Sequence, residues 1–276
     1  MNVSKIKTMV IIALLLVNSV FVTVIVIDAV ADTRSERQAI ENACEILTLG
    51  GITISPESIK TSGAIRTMRT MRDNAAEAAI ANAALGTVEM TDQGVICHYE
   101  NAEHGTAEFN SAGDFDIQLN DGAIPNNADG KLKSAQNLLR KMKIEASYIY
   151  ISNNEETETV VAICAYKKAS IFNCVIEFHY SGESISSVRG RCVTGIDANE
   201  DGDEISTVAT ILLSFLALHK RGDVECTKIT SVEAGYQYHA TGSFGEGIIT
   251  PAWLITTDTG RYIIDDTTRE IVSRRP

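Results

Sequence analysis

Residues Thr8 to Ile27 read TMVIIALLLVNSVFVTVIVI, a run without one charged residue. A helix of that length is about 30 Å long, the thickness of a bilayer's hydrocarbon core. Lys5 and Lys7 precede the run; Asp28, Asp32 and Glu36 follow it, against Arg34 and Arg37. The positive-inside rule then sets the N-terminus in the cytoplasm and everything from Asp28 outward beyond the membrane. The expectation is a cytoplasmic segment 1–7, a transmembrane anchor 8–27 in the cell membrane, and an extracytoplasmic remainder. Within the span, Ser19 and Thr23 have the small-xxx-small spacing of packed membrane helices, and a single-pass helix offers the Asn18 amide no internal partner. Asn18, Ser19 and Thr23 are therefore the candidate transmembrane interface. The rival reading is a signal peptide cleaved after Ala31, since Ala29-Val30-Ala31 is an A-x-A site. The apolar region of a signal peptide runs to about 7–15 residues, shorter than this one, which favours retention.

Outward from the span, helices and strands alternate. Ala39, Ile40, Ala43, Ile46 and Leu47 repeat at helical spacing, and Gly50-Gly51 ends that pattern. Asn74 with Glu77 reads as a capping box opening an alanine-rich helix that Gly86 stops. Short strand-like runs follow to Leu119, punctuated by Gly94, Gly105 and Gly113. Residues 123–130, with Pro125 and Asn126-Asn127, read as a linker. Beyond it come a helix through Leu132–Met142, four strands between Ser147 and Val193, a helix from Ile205 to about His219, and closing strands from Glu225. The predicted fold class is α+β: an N-terminal transmembrane helix, then helix-plus-antiparallel-meander units, with helices on one face of each sheet. The domains predicted are 32–122 and 131–276.

A net charge of −12, or −14 once Lys5 and Lys7 are set aside, repels phosphate backbones and disfavours nucleic-acid binding. The six cysteines are Cys44, Cys97, Cys164, Cys174, Cys192 and Cys226. They contain no CxxC spacing, so neither a zinc ribbon nor a dithiol redox site is indicated. Most read as small buried hydrophobes; Cys164 and Cys174 flank a hairpin at which they would face each other.

Asp197, Asn199 and Asp201, with Gly202, match the first half of a calcium loop, but the position of its twelfth, bidentate ligand is Val208. The plainer reading is an acidic turn before a helix. His98 and His104 sit near Glu100 and Glu103 in a turn without the fixed spacing of a metal motif. Ser243 in TGSFGEG has Thr241 where a nucleophile elbow needs glycine. The expectation is no catalytic residue, no cofactor and no enzyme.

Two regions resemble a known family. SKIKTMVIIALLLVNSVFV is similar to the N-terminal anchor of the YycH/YycI-type regulatory proteins of Gram-positive bacteria. Gly235-Tyr236, Thr250-Pro251-Ala252-Trp253-Leu254-Ile255 and Thr257-Asp258-Thr259-Gly260-Arg261-Tyr262-Ile263-Ile264-Asp265 resemble the closing strands of their PepSY-like outer domains, although Arg269 stands where the last turn usually has glycine. The resemblance implies a non-enzymatic regulator that contacts a membrane histidine kinase of a two-component system, or a related accessory protein. The alternatives set beside it are a ligand- or inhibitor-binding module without a kinase partner and a hydrolase with dispersed catalytic residues.

Overall fold

The closing strands show how residue alternation becomes architecture. In Glu246–Thr257, buried and half-buried positions alternate through Gly247, Ile249 and Pro251, and Trp253 and Ile255 continue the buried set. One edge of this strand pairs along its whole length with Ile229–Ala240. The other edge is shared: residues 246–249 pair with Met68–Met71, and residues 252–256 with Arg261–Asp265. Pro251, which has no N–H to give, falls where that edge passes from one partner to the next. Trp253 is buried, and its indole N–H donates to Asp266 Oδ1 at 2.8 Å.

The computed structural model describes residues 34–60, 65–124, 130–154, 157–182, 184–197, 205–242 and 245–275. In chain order the elements are α1 (34–49), β1 (Ile59–Lys60), β2 (Met68–Met71), α2 (Asn74–Leu85), β3 (Glu89–Asp92), β4 (Ile96–Asn101), β5 (Gly105–Asn110) and β6 (Asp114–Leu119). They continue with α3 (Lys131–Met142), β7 (Ala146–Asn154), β8 (Thr157–Tyr166), β9 (Ala169–Ser181), β10 (Ser184–Arg191), α4 (Val208–Arg221), β11 (Ile229–Ala240), β12 (Glu246–Thr257), β13 (Arg261–Asp265) and β14 (Ile271–Arg275).

The chain forms two compact units. One holds α1 and α4, residues up to Pro56 together with Thr207–Lys228. Leu47 and Ile52 are buried in it, as are Ile211, Leu212 and Phe215 of α4. A Cβ on Gly50 would lie 2.5 Å from Leu216 Cδ1, so the end of α1 sits directly on α4. Thr207 caps α4, and Gly222 ends it in the left-handed conformation.

The other unit, Glu57–Ser206 with Ile229–Pro276, contains all the named strands. They run β14-β13-β12-β11-β9-β10-β6-β5-β4-β3; β8 and β7 extend from β9, β1 lies beside β11, and β2 beside β12. The β1–β11 and β9–β11 pairings are parallel and the other strand pairings antiparallel. Gly235 permits the β9–β11 junction: a Cβ there would meet Ser170 O at 2.5 Å and the Phe172 ring at 2.6 Å. Helices α2 and α3 pack on each other, α2 also against β4, β5 and β6, and α3 against β7 and β8.

This corrects the predicted fold class. The strands do not close into separate PepSY-like helix-plus-antiparallel-meander units; they join one large mixed sheet. The reason lies in strand edges. An isolated meander leaves unpaired N–H and C=O groups along its outer strands, and here β6 pairs with β10 and β9 with β11. Alternation within a strand does not say which neighbour takes its edge.

The membrane reading is corrected as well. Among the described residues no helix is long and apolar enough to cross a membrane. α1 has 16 described residues (34–49), α2 and α3 have 12 and α4 has 14, so the longest described stretch spans about 24 Å against a core of about 30 Å. Residues 8–27, including Asn18, Ser19 and Thr23, lie outside the described residues. The single-pass anchor, the partnership through a membrane helix and the cell-membrane localisation are therefore not carried forward.

Candidate functional site

Small side chains open a cavity in the sheet-bearing unit. On α2 the sequence is alanine-rich, and Ala76, Ala79 and Ile80 face a space bounded by Ile144, Cys164, Ala165, Ile171 and Cys192. The space measures about 470 Å³, within the 300–1,000 Å³ typical of small-molecule sites. Its lining is mostly apolar; Lys143, Glu145, Tyr166 and Thr194 supply the polar groups.

Beside it lies a second, more polar cleft of about 360 Å³, lined by Lys60, Ser147, Tyr148, Lys168 and Glu233; Glu145 borders both. Glu233 stands in the middle of β11 and is 8% exposed. A carboxylate so placed must be paired. Its Oε2 accepts from the Tyr148 hydroxyl at 2.5 Å and lies 3.6 Å from Lys60 Nζ; its Oε1 accepts from Ser170 Oγ at 2.7 Å. Lys60 Nζ also donates to the Tyr148 oxygen at 2.8 Å, and Ser147 Oγ stands 2.9 Å from Ser170 Oγ. The hydrogen bond with Tyr148 raises the Lys60 pKa, and Glu233 adds to that. Burial, then the bond to Glu233, raises the Tyr148 pKa. The cluster thus holds an ammonium and a neutral phenol over a buried carboxylate. Ser170 is 1% exposed, so its hydroxyl is closed to a substrate. The arrangement fixes charge at the mouth of the cleft and presents no activated nucleophile.

Backbone geometry fixes the lysines around these openings. Lys143 ends α3 at φ 57°, with its N–H bonded to Arg140 O and Leu139 O. Lys167 and Lys168, at φ 47° and 72°, are the two central residues of the β8–β9 hairpin between the paired Tyr166 and Ala169. Positive φ at both central positions makes a type I′ turn, which ordinarily takes Asn-Gly. Glu145 ties the two segments together: its Oε1 accepts from Lys168 N at 2.9 Å, and its backbone O from Ala165 N at 2.8 Å.

The thiols are passive. All six cysteines are free. Burial pushes Cys164 and Cys192 well above the usual thiol range; Cys174 adds to the shift at Cys164, and Cys164 to that at Cys192. Cys164 sits where the β8–β9 ladder shifts register, and its Sγ approaches Arg191 O at 3.6 Å. At neutral pH these groups act as small apolar surface.

The residues singled out in the sequence lie elsewhere. Asp197 is exposed, and its N–H donates to Arg69 O at 3.0 Å; Asn199, Asp201 and Ser243 lie outside the described residues. His98 on β4 faces Glu108 across the ladder at 3.5 Å, whereas the His104 ring lies 3.3 Å from Asn101 in the turn. Among the described residues no group of three or more His, Cys, Asp or Glu side chains is placed to hold a metal. Asn74 and Glu77 do not form the expected capping box. Asp73 is the cap, accepting from Ala75 N and Ala76 N, and Glu77 is buried against Arg72.

The sequence reading passed over Lys60, Lys143, Tyr148, Lys168 and Glu233. Two signals were present. Glu233 interrupts an apolar strand between Val232 and Ala234, which demands a buried partner. Lys167-Lys168 turns between two strand patterns without the usual glycine or asparagine.

Comparison with protein-family models finds none that matches this chain, and comparison with curated proteins finds no match. The resemblance to YycH/YycI-type proteins therefore rests on its quoted motifs alone.

Proposed function

We propose that this chain is a ligand-binding protein that takes a small, largely apolar molecule into the cavity beside α2. The observation that carries this reading is the cavity itself: about 470 Å³, lined chiefly by Ala, Ile and Cys side chains, with a few polar groups at its edge. The reading belongs to the second class weighed from the sequence, the binding module without a kinase partner. It is preferred to the kinase regulator because that alternative leaned on the anchor, which is not carried forward.

The test is titration with the neutral, environment-sensitive dye Nile red. The expected result is saturable binding at one site. Ala76→Leu and Ala79→Leu, singly and together, should weaken it stepwise while leaving the melting temperature unchanged, because leucine is nearly as good a helix former as alanine. Absence of saturable binding, or binding indifferent to both substitutions, would overturn the proposal.

A further inference from the structure

The rim of the cavity carries lysines on an otherwise acidic chain of net charge −12. Lys143 lines the cavity, and Lys60 and Lys168 line the cleft that adjoins it at Glu145. Lys60 is engaged with Tyr148 and Glu233. Glu145, which lines both openings, accepts a hydrogen bond from the Lys168 backbone N–H. No carboxylate pairs with the Lys143 or Lys168 ammonium among the described residues.

The backbone adds an independent observation. Of the four non-glycine residues at positive φ among the described residues, three are Lys143, which lines the cavity, Lys168, which lines the adjoining cleft, and Lys167, whose ammonium lies 5.3 Å from the Tyr166 ring centre. Glycine or asparagine would sit there with less strain, and a left-handed L-residue costs about 1–2 kcal/mol. The negative end of α3 favours a cation at Lys143, yet it does nothing for the hairpin lysines. Strain kept at neighbouring positions is a mark of side chains retained for what they contact.

Resting on the cavity as the binding site, we infer that its ligand is a single-chain anionic amphiphile. The alkyl chain would lie among Ala76, Ile80 and Ile171, and the carboxylate or phosphate monoester would lie against Lys143 and Lys168. A mostly apolar, half-open pocket with Lys143 on its lining and Lys168 on the adjoining cleft orients such a molecule chain-inward.

The experiment is displacement of Nile red from the full chain, below the micelle concentration of each competitor. The competitors are dodecanoate, dodecyl phosphate, dodecanol and dodecyltrimethylammonium. Both anions should displace the dye at least roughly tenfold more tightly than dodecanol, which corresponds to about 1.4 kcal/mol, and the cation should be weakest. Lys143→Met and Lys168→Met should each bring dodecanoate toward dodecanol, read as the ratio of their displacement constants against the dye affinity of the same variant. Lys143→Arg and Lys168→Arg should restore the difference. Added salt should weaken dodecanoate and leave dodecanol unmoved. Equal displacement by dodecanoate and dodecanol, with the dye still bound in the cavity, overturns the anionic assignment and spares the cavity. Failure of the dye to bind overturns both. A fourth arm uses anionic phospholipid vesicles: cosedimentation that displaces the dye, where dodecanoate does not, would replace the free amphiphile with a lipid surface and overturn the proposal.

Discussion

The sheet-bearing unit treats its two helix-covered regions differently. Where α2 covers β4, β5 and β6, the space is filled by aromatic rings. Tyr99 meets Phe109 edge-on at 5.6 Å, and Phe109 stacks on Phe115 at 5.4 Å. Arg72 seals that region, giving both Glu77 oxygens a hydrogen bond at 2.8 and 2.9 Å and reaching Gly94 O, Val95 O and Phe109 O. Around β8, β9 and the end of β10, the corresponding positions are Cys164, Ala165, Ile171 and Cys192, and a cavity remains. Beside one helix, α2, the space is thus closed or left open according to side-chain volume, and the ion pairs differ in kind. Arg72 and Glu77 are 9% and 3% exposed; Lys60, the partner of Glu233, is 58% exposed.

The largest expected effects break the closed region. Arg72→Met leaves the Glu77 carboxylate buried and unpaired, at a cost of about 3–5 kcal/mol. Phe109→Ala should cost about the same by opening a void among rings that cannot collapse onto it. Lys60→Met at the open region should cost under about 1 kcal/mol, since an exposed partner contributes little and Glu233 keeps Tyr148 and Ser170. Chemical denaturation of the three variants checks the contrast. Equal losses would mean that both ion pairs are structural keystones and that the two regions do not differ in this respect.

A smaller effect follows from the thiols. Burial raises the pKa of Cys164, Cys174 and Cys192 in the fold, each with added repulsion from a neighbouring thiol. The unfolded chain releases those protons near pH 8.5 while the folded chain keeps them. Stability is therefore fully present below about pH 8.5 and declines as pH rises toward the raised folded values. The slope is about 1.4 kcal/mol per pH unit for each thiol. Cys174→Ala should flatten this alkaline limb by one thiol's share, as measured by denaturant midpoints at pH 8 and pH 9.5. An unchanged limb would place the thiol in contact with water.

Local chemistry was legible in the sequence, and tertiary pairing was not. The helical run Leu132–Met142 marked α3, and Gly50-Gly51 marked the end of α1, because spacing and glycine stops are properties of a few consecutive residues. The mixed sheet depends on which strand edges meet, as in β6 with β10 across residues 123–130, and alternation carries no such information. Glu77 illustrates the same limit. Its spacing from Asn74 suggested a cap, but the guanidinium of Arg72 claims it, a choice decided by burial. The cavity was hidden for a related reason. Alanine on α2 reads as helix propensity, and only the facing Cys164 and Cys192, far along the chain, turn those alanines into a wall.

The smallest predicted effect probes the hairpin beside that cavity. Lys167-Lys168 occupies a turn whose two central residues have positive φ, while Tyr166 and Ala169 pair around it. Each left-handed lysine is strained by its Cβ, and glycine at the second position removes that strain. Glycine also gives the unfolded chain more freedom, which returns about 0.5–1 kcal/mol of the gain. Asparagine at the first position tolerates the left-handed region and adds a few tenths. Lys167→Asn with Lys168→Gly should therefore stabilise the fold by about 1 kcal/mol, with the backbone bond from residue 168 to Glu145 kept. The same double variant should lose most of its preference for dodecanoate over dodecanol. Lys167→Asn alone, which leaves the cleft-lining Lys168 in place, should gain the smaller stability increment and keep that preference. Stabilisation with loss of discrimination would mean that the turn trades stability for a cation at the rim. No stabilisation in either variant would show that the lysines sit there without strain, and would remove the backbone argument for their retention.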